Sequence, residues 1–207
     1  MSTKEFRQRV RVDIENHIAQ VRMIRSEKYN GLDLAMLHAL IEAAEWLRPQ
    51  RELRAVILSG EGAAFSTGLD VASVTKAPTK MFAAFIPWSK SDNVFQRACW
   101  AWRQVPVPVI AALHGHCYGG ALQIALAADF RFSTPDCKLS VMEIKWGLVP
   151  DMTGTLTLRE LLPMDVAKKL AMTGEVISAE QGLQYHLVTE LHEDPVAAAL
   201  AFCDTLV

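Results

Sequence analysis

Leu58-Ser-Gly-Glu-Gly-Ala-Ala-Phe-Ser-Thr-Gly-Leu-Asp70 and Leu113-His-Gly-His-Cys-Tyr-Gly-Gly-Ala-Leu-Gln-Ile-Ala125 share one physical design. In each, a short apolar run, read as a buried strand, ends in small residues that lead into a helix. Small residues let a backbone approach a ligand closely, and the N–H groups that open a helix have no partner inside it. Two such ends brought together would hold an oxyanion. Either turn by itself serves equally well as a packing turn. Neither carries the Gly-Lys-Ser/Thr ending of a phosphate loop, and Gly115-His-Cys-Tyr-Gly119 lacks the glycine spacing of a dinucleotide fingerprint.

Working outward, Arg54 to Ser59 is an apolar run bounded by charges and by Gly60 and Gly62, the mark of a strand buried on both faces. Val107 to Leu113, Phe130 to Ser133 and Lys138 to Met142 read as further strands, and the helix after the second turn is expected to run on to Asp129. Upstream, Val10, Val12 and Ile14 alternate with charged residues, the period of a half-buried strand, and Glu15-Asn16 turns the chain into a second run from His17 to Ile24. From Leu32 to Leu47 the apolar positions recur at helical spacing, with Asp33 near the start and Pro49 beyond the end. Ser178-Ala-Glu-Gln181 is a capping box, and Pro195 precedes a last apolar stretch, Val196 to Val207. Strands alternating with helices predict an α/β fold on a parallel sheet. Val74 to Asn93, with Pro78 and Pro87 and no sustained periodicity, reads as a loop covering something.

The composition narrows the function classes. The chain has 207 residues, 51% hydrophobic and 21% charged, enough for one substantial core, and a single domain over 1–207 is expected. A net charge of −2, with basic and acidic residues intermixed, offers no field to attract nucleic acid or an anionic membrane. Cys99, Cys117, Cys137 and Cys203 lie far apart, outside disulfide-framework or zinc spacing, and read as buried thiols with no metal. Gln104 to Ala128 has no charged residue, but Pro106, Pro108 and its glycines interrupt any membrane helix, so it reads as strand, loop and helix. The N-terminus lacks the apolar segment of a secretory signal, and a cytoplasmic protein is expected.

Four ordered motifs resemble the enoyl-CoA hydratase/isomerase (crotonase) family. They are Ala64-Phe-Ser-Thr-Gly-Leu-Asp70, His114-Gly-His-Cys-Tyr-Gly-Gly-Ala-Leu-Gln123, Met142-Glu-Ile-Lys-Trp-Gly-Leu-Val-Pro-Asp151 and Met172-Thr-Gly-Glu-Val-Ile-Ser-Ala-Glu180, the last followed by Leu187-Val188. The resemblance runs from about Val10 to Leu191. It implies a spiral of ββα units with a shortened C-terminal helical region, lacking the family's C-terminal trimerisation helices. It also implies an acyl-CoA substrate, with coenzyme A as part of that substrate and no prosthetic group, and a homotrimer or dimer of trimers. By position, Thr67 and Gly120 would supply the oxyanion-hole N–H groups. Lys28 and the Ala64 region would meet the nucleotide end of coenzyme A, although a surface Lys is also simply solvated.

For the reaction, the resemblance marks Gln123 and Glu143 as the pair that holds water and moves a proton. Gln123 departs from the usual Glu, because an amide holds water but does not take or return a proton at neutral pH. Glu143 stands among Val141, Met142, Ile144 and Trp146, an apolar setting that raises a carboxyl pKa; the competing reading is a solvated loop carboxylate. The spacing from Glu143 to Asp151 resembles that of dienoyl-CoA isomerases, while Asp151 also suits the cap of a helix beginning at Met152. The expectation is enolate chemistry on an unsaturated acyl-CoA. The alternative is a catalytically impaired acyl-CoA-binding homologue. A serine-peptidase reading, with Ser66 as nucleophile and His114 or His116 as base, lacks a Gly-x-Ser-x-Gly elbow.

Overall fold

The computed structural model describes residues 2–76, 79, 83–86 and 92–206. It opens with three antiparallel strands, β1 (Ser2–Phe6), β2 (Val10–Glu15) and β3 (Ile18–Met23). Asn16 and His17 both take positive φ between β2 and β3, which is the two-residue hairpin turn whose twist matches its flanking strands. Helix α1 (Leu34–Leu47) then crosses to β4 (Ala55–Gly60), which pairs parallel with β3. Asp33 starts α1 by accepting from the Met36 N–H at 2.7 Å, and Met36, Leu37, Leu40, Ala44 and Leu47 form its buried face.

From β4 the chain passes through α2 (Val71–Lys76) and α3 (Val94–Arg103) to β5 (Val109–Leu113), then through β6 (His116–Tyr118) and α4 (Gly120–Leu126) to β7 (Phe130–Ser133) and β8 (Lys138–Ser140). Helices α5 (Gly154–Leu161) and α6 (Met164–Thr173) precede β9 (Ile177–Ser178), α7 (Ala179–Gln184), β10 (Glu190–Leu191) and α8 (Pro195–Asp204). Two sheets result. A seven-stranded sheet runs β1-β2-β3-β4-β5-β7-β10, and a three-stranded sheet runs β6-β8-β9.

The α/β class stands, but the sheet is mixed rather than purely parallel: short turns force β1 to β3 into a meander, and only the helical crossovers after β3 allow parallel pairs. Strand β1 leaves no apolar pattern in the sequence, because its side chains are exposed except for Phe6. Helix α4 stops at Leu126, short of the expected Asp129. The Asp129 carboxylate instead accepts from the Val109 N–H at 2.8 Å, fastening the end of that helix to β5. The Ser178–Gln181 capping box is present. Of the expected loop from Val74 to Asn93, positions 77, 78, 80–82 and 87–91 lie outside the described residues, and its far end is an Asn93–Gln96 capping box opening α3.

Strands β4 and β5 are buried along both faces. Val56, Leu58, Val109 and Ala111 face the main core with α1, α3 and α4, whereas Ile57, Ile110, Ala112 and Phe132 form a second core under α8. With both faces covered, the loops that leave the C-terminal ends of β4 and β5 are pinned at their base. Among the described residues no helix is long and apolar enough to cross a membrane, and all four cysteines are buried and unbridged.

Asn30 holds the first of these loops. It is 0% exposed and sits at φ 53°. Its Oδ1 accepts from the Arg25 N–H, and its Nδ2 donates to the Glu61 and Ala64 carbonyls, each at 2.9 Å. Asn30→Ala removes the partner of three backbone groups, two of them buried, and puts a side chain without polar atoms at a left-handed position. It should cost about 3 kcal/mol, read as a lowered urea midpoint with an unchanged slope.

Candidate active site

The two glycine-containing turns lie side by side. The Phe65 N–H donates to the His114 carbonyl at 2.9 Å, the Ser66 N–H to the His116 carbonyl at 3.0 Å, and the Tyr118 N–H to the Ser66 carbonyl at 3.2 Å. The loop after β4 is thereby laid along β6 as far as Gly68. On its other side the Gly68 carbonyl accepts from the Leu32 N–H, and the Asp70 N–H donates to the Leu32 carbonyl. Arg25 braces this corner by donating to Asp70 Oδ2 and to the Gly31 carbonyl, both at 2.8 Å. Burial alone would raise the Asp70 pKa. The hydrogen bonds from Ser73 and the Arg25 guanidinium outweigh it and hold that carboxyl below its usual value.

A cavity of about 330 Å³ opens where the turns converge. Thr67, Gly68, Gly119 and Gly120 line one wall. Gln123, Glu143 and Asp151 line another, and Leu69, Phe85, Phe95, Trp146, Val149 and Met152 are among the apolar residues of the rest. Phe85 stacks on Phe95 with ring centroids 4.5 Å apart. The structure therefore brings together five of the seven residues singled out in the sequence: Thr67, Gly120, Gln123, Glu143 and Asp151.

Their individual states differ from what the sequence alone suggests. Gly120 is the first residue of α4, its preceding residue Gly119 has φ 52°, and no side chain caps the helix. The Gly120 N–H thus lacks an acceptor within its helix and lines the cavity. The Thr67 N–H, by contrast, already donates to the Tyr29 carbonyl at 3.1 Å. Of the two expected donors, Gly120 is the unengaged one.

Glu143 opens a single 3₁₀ turn after β8, Glu143–Trp146, and is 8% exposed, which removes the solvated-loop reading. Its Oε1 accepts from Gln123 Nε2 at 2.6 Å, while its Oε2 is buried with no hydrogen-bond partner among the described residues. Gln123, 2% exposed, is fixed at both ends: its Oε1 accepts from the Gly154 N–H at 2.9 Å. This pairing sets the orientation of the amide. Burial pushes the Glu143 pKa above its usual value; its own backbone N–H and Gln123 pull it back, and the nearby Asp151 pushes it up again. Burial likewise raises Asp151.

Asp151 does not cap a helix at Met152. Thr153, with φ 69°, interrupts the backbone there, the helix begins at Gly154, and half-buried Asp151 lines the cavity. Lys28 ends an exposed 3₁₀ turn, Ser26–Lys28, packed against the loop after β4: a Cβ on Gly62 would stand 2.7 Å from that of Ser26. Ala64 is 0% exposed with its carbonyl taken by Asn30, so the accessible atoms of that segment belong to Gly62 and Ala63. Ser66 is sealed. Its Oγ donates to the Asn30 carbonyl and accepts from the Gly68 N–H, while His114 pairs with the Gly62 carbonyl and His116 with the Tyr118 hydroxyl. The peptidase reading ends there. Sequence reasoning missed Gly154 as the seat of Gln123 and Arg25 as the brace of Asp70; the small residue two positions after Met152 was the one visible sign of the former.

Residues 13–200 match the family described as enoyl-CoA hydratase/isomerase. The chain is 34% identical over 193 residues to (E)-benzylidenesuccinyl-CoA hydratase of Thauera aromatica, covering 93% of this chain and 73% of that protein. It is 30% identical over 190 residues to the mitochondrial Delta(3,5)-Delta(2,4)-dienoyl-CoA isomerase of Mus musculus, covering 87% of this chain and 57% of that one. Among solved structures, an enoyl-CoA hydratase from Bacillus anthracis superposes with a TM-score of 0.87 at 27% identity, covering 96% of this chain and 76% of the other. One from Polaromonas sp. JS666 gives 0.84 at 26%, covering 95% and 76%. The chain belongs to the enoyl-CoA hydratase/isomerase family, whose members named here are enzymes, and its fold is the crotonase-like one that the motifs imply.

Because the folded-state pKa of Glu143 lies above the usual 4.5, the native state binds more protons than the unfolded chain between the two values. Stability should therefore fall as pH rises through that window. ¹³C NMR of labelled carboxyls should show Glu143 titrating above 4.5, and Glu143→Gln should flatten that part of the stability profile.

Proposed function

We propose that this chain is an enzyme acting on an unsaturated acyl-CoA thioester, moving a proton at carbon through Glu143. The observation that carries this reading is the Glu143 Oε2 atom, buried without a partner in an apolar cavity that the free Gly120 N–H also lines. A thioester carbonyl accepting from Gly120, and sharing the Thr67 N–H with Tyr29, would develop negative charge on oxygen as the adjacent C–H bond breaks. The proton would pass to Glu143 Oε2, a carboxylate whose raised pKa suits it both to accept and to return it. Asp151 is the second carboxylate of the site. Coenzyme A would enter as part of the substrate, with its nucleotide end toward Lys28 and the Gly62–Ala63 loop, and no prosthetic group is invoked.

Gln123 decides between reactions. With one Nε2 hydrogen on Glu143 and Oε1 accepting from Gly154, the amide keeps a second N–H and a second lone pair that can hold a water, but it has no group that takes or returns a proton at neutral pH. This favours proton relocation along an unsaturated chain over the hydration that two glutamates would carry out. The same residue motivates the second reading, a relative that binds acyl-CoA without turning it over. We further propose a homotrimer or dimer of trimers, located in the cytoplasm. Exposed Trp146, Val149 and Met172 supply apolar surface that an assembly would cover.

Across a panel of enoyl-, dienoyl- and 3-hydroxyacyl-CoA thioesters followed spectroscopically, the chain should turn over at least one member. Glu143→Gln should lower that rate by about a thousandfold, at the middle of the range for loss of an acid–base group, with thioester affinity retained. Binding of members with no turnover of any would favour the second reading. Gln123→Glu brings a second carboxylate to hydrogen-bond distance of Glu143, and the pair would share a proton. Crotonyl-CoA hydration should then rise above that of the unaltered chain; an unchanged rate would show that position 123 does not set the reaction.

A further inference from the structure

Behind the acyl cavity lies a second, polar cleft of about 650 Å³, and Asp151 is the one residue among those described that lines both. The cleft wall includes Arg48, Asp92, Arg97, Thr153 and Thr155. Arg97 is not a free cation: it pairs with Glu45 at 2.7 Å and Asp92 at 3.4 Å, and donates to Gln104 at 3.0 Å. Arg48 lines the same polar cleft and is exposed, so the cleft is open to water. At the junction, half-buried Asp151 accepts from its own backbone amide and from no other side chain among the described residues.

An acyl group filling the front cavity would cut off the little solvent that Glu143, 8% exposed, can reach. Gln123 accepts no proton at neutral pH, and Asp151 is the one other carboxylate among the described residues that line the front cavity, near enough to Glu143 to push its pKa up. We propose that Asp151 is the relay through which the proton held by Glu143 exchanges with water in the rear cleft while the thioester occupies the front. The inference rests on the reading of Glu143 as the group that removes the proton. In the step, the C–H bond next to the thioester breaks, its electron pair passes into the enolate, and the proton forms an O–H bond on Glu143. That O–H bond then breaks as the proton passes to the Asp151 carboxylate, which releases it to a cleft water as hydronium. The reverse sequence returns a solvent proton to carbon. No oxidant or co-reactant is required.

The test follows α-hydrogen washout from butyryl-CoA in D₂O by NMR, at equal thioester occupancy for every variant. The unaltered chain should exchange, and Glu143→Gln should abolish exchange. Asp151→Asn should slow it about tenfold or more, with recovery in Asp151→Glu. A cleft-filling variant, Thr155→Trp with Leu156→Trp, alters exposed positions of α5 away from the acyl cavity, and it should slow exchange as well. Washout at the original rate in either Asp151→Asn or the cleft-filled variant would overturn the relay. Loss in Asp151→Asn alone would make Asp151 a base acting on carbon instead. An unaltered chain that binds butyryl-CoA and exchanges nothing would overturn the Glu143 reading and the relay together.

Discussion

Everything at the cavity depends on three backbone hydrogen bonds that lay one loop along another: Phe65 to His114, Ser66 to His116, and Tyr118 to Ser66. They join segments far apart in the chain, and they do so without side chains. What aligns Thr67 with Gly120 is therefore the parallel pairing of β4 with β5 continued past the ends of the strands. Gly115 makes this possible. At its φ of 58° an added Cβ would strike the Ala63 carbonyl, so a larger residue would pry the two loops apart. Burial of β4 and β5 on both faces then prevents either strand from sliding to relieve a mismatch, since a one-residue slip would turn every side chain to the opposite core.

The carboxylate side of the cavity is built on a different principle. Leaving Glu143 Oε2 buried and unpaired costs on the order of 1–3 kcal/mol, and Thr153 adds a left-handed backbone for a β-branched residue. Both penalties fall within the segment from Glu143 to Thr153 that shapes the cavity wall. Left-handed residues also occur elsewhere, at Tyr29 and Asn30 for example, but at Glu143 the unpaired oxygen lies in the wall of the cavity, where a ligand could satisfy it.

The same contrast explains how much was legible in the sequence. The runs at Arg54 to Ser59, Val107 to Leu113 and Phe130 to Ser133, and the helix from Leu32, declare themselves because burial on a regular element imposes a period. Strand β1 did not, since an exposed edge strand needs no apolar alternation, and β6 was read as loop because His116 and Tyr118 flank a single buried Cys117. Glu143 was found through the resemblance of its motif and by its apolar neighbours. That only one of its oxygens is spoken for could not be read, because Gln123 and Gly154 reach it from separate elements. Nor could the engagement of the Thr67 N–H by Tyr29, a contact between a loop and a 3₁₀ turn with no periodic signature.

Gly154 gives this site an asymmetric mutational landscape. A Cβ there would stand 2.5 Å from Gln123 Oε1 and 3.0 Å from the Pro150 side chain, so the seat beneath position 123 accepts no other residue without rearrangement. Position 123 is under no such restriction, because an amide and a carboxylate occupy the same volume and either can accept the Gly154 N–H. Position 123 can thus alternate between an amide and a carboxylate by a single substitution, while any side chain at position 154 forces its neighbours to move. Among relatives, variation is therefore to be expected at position 123 and constancy at position 154, whose lack of a side chain leaves room for the residue at 123.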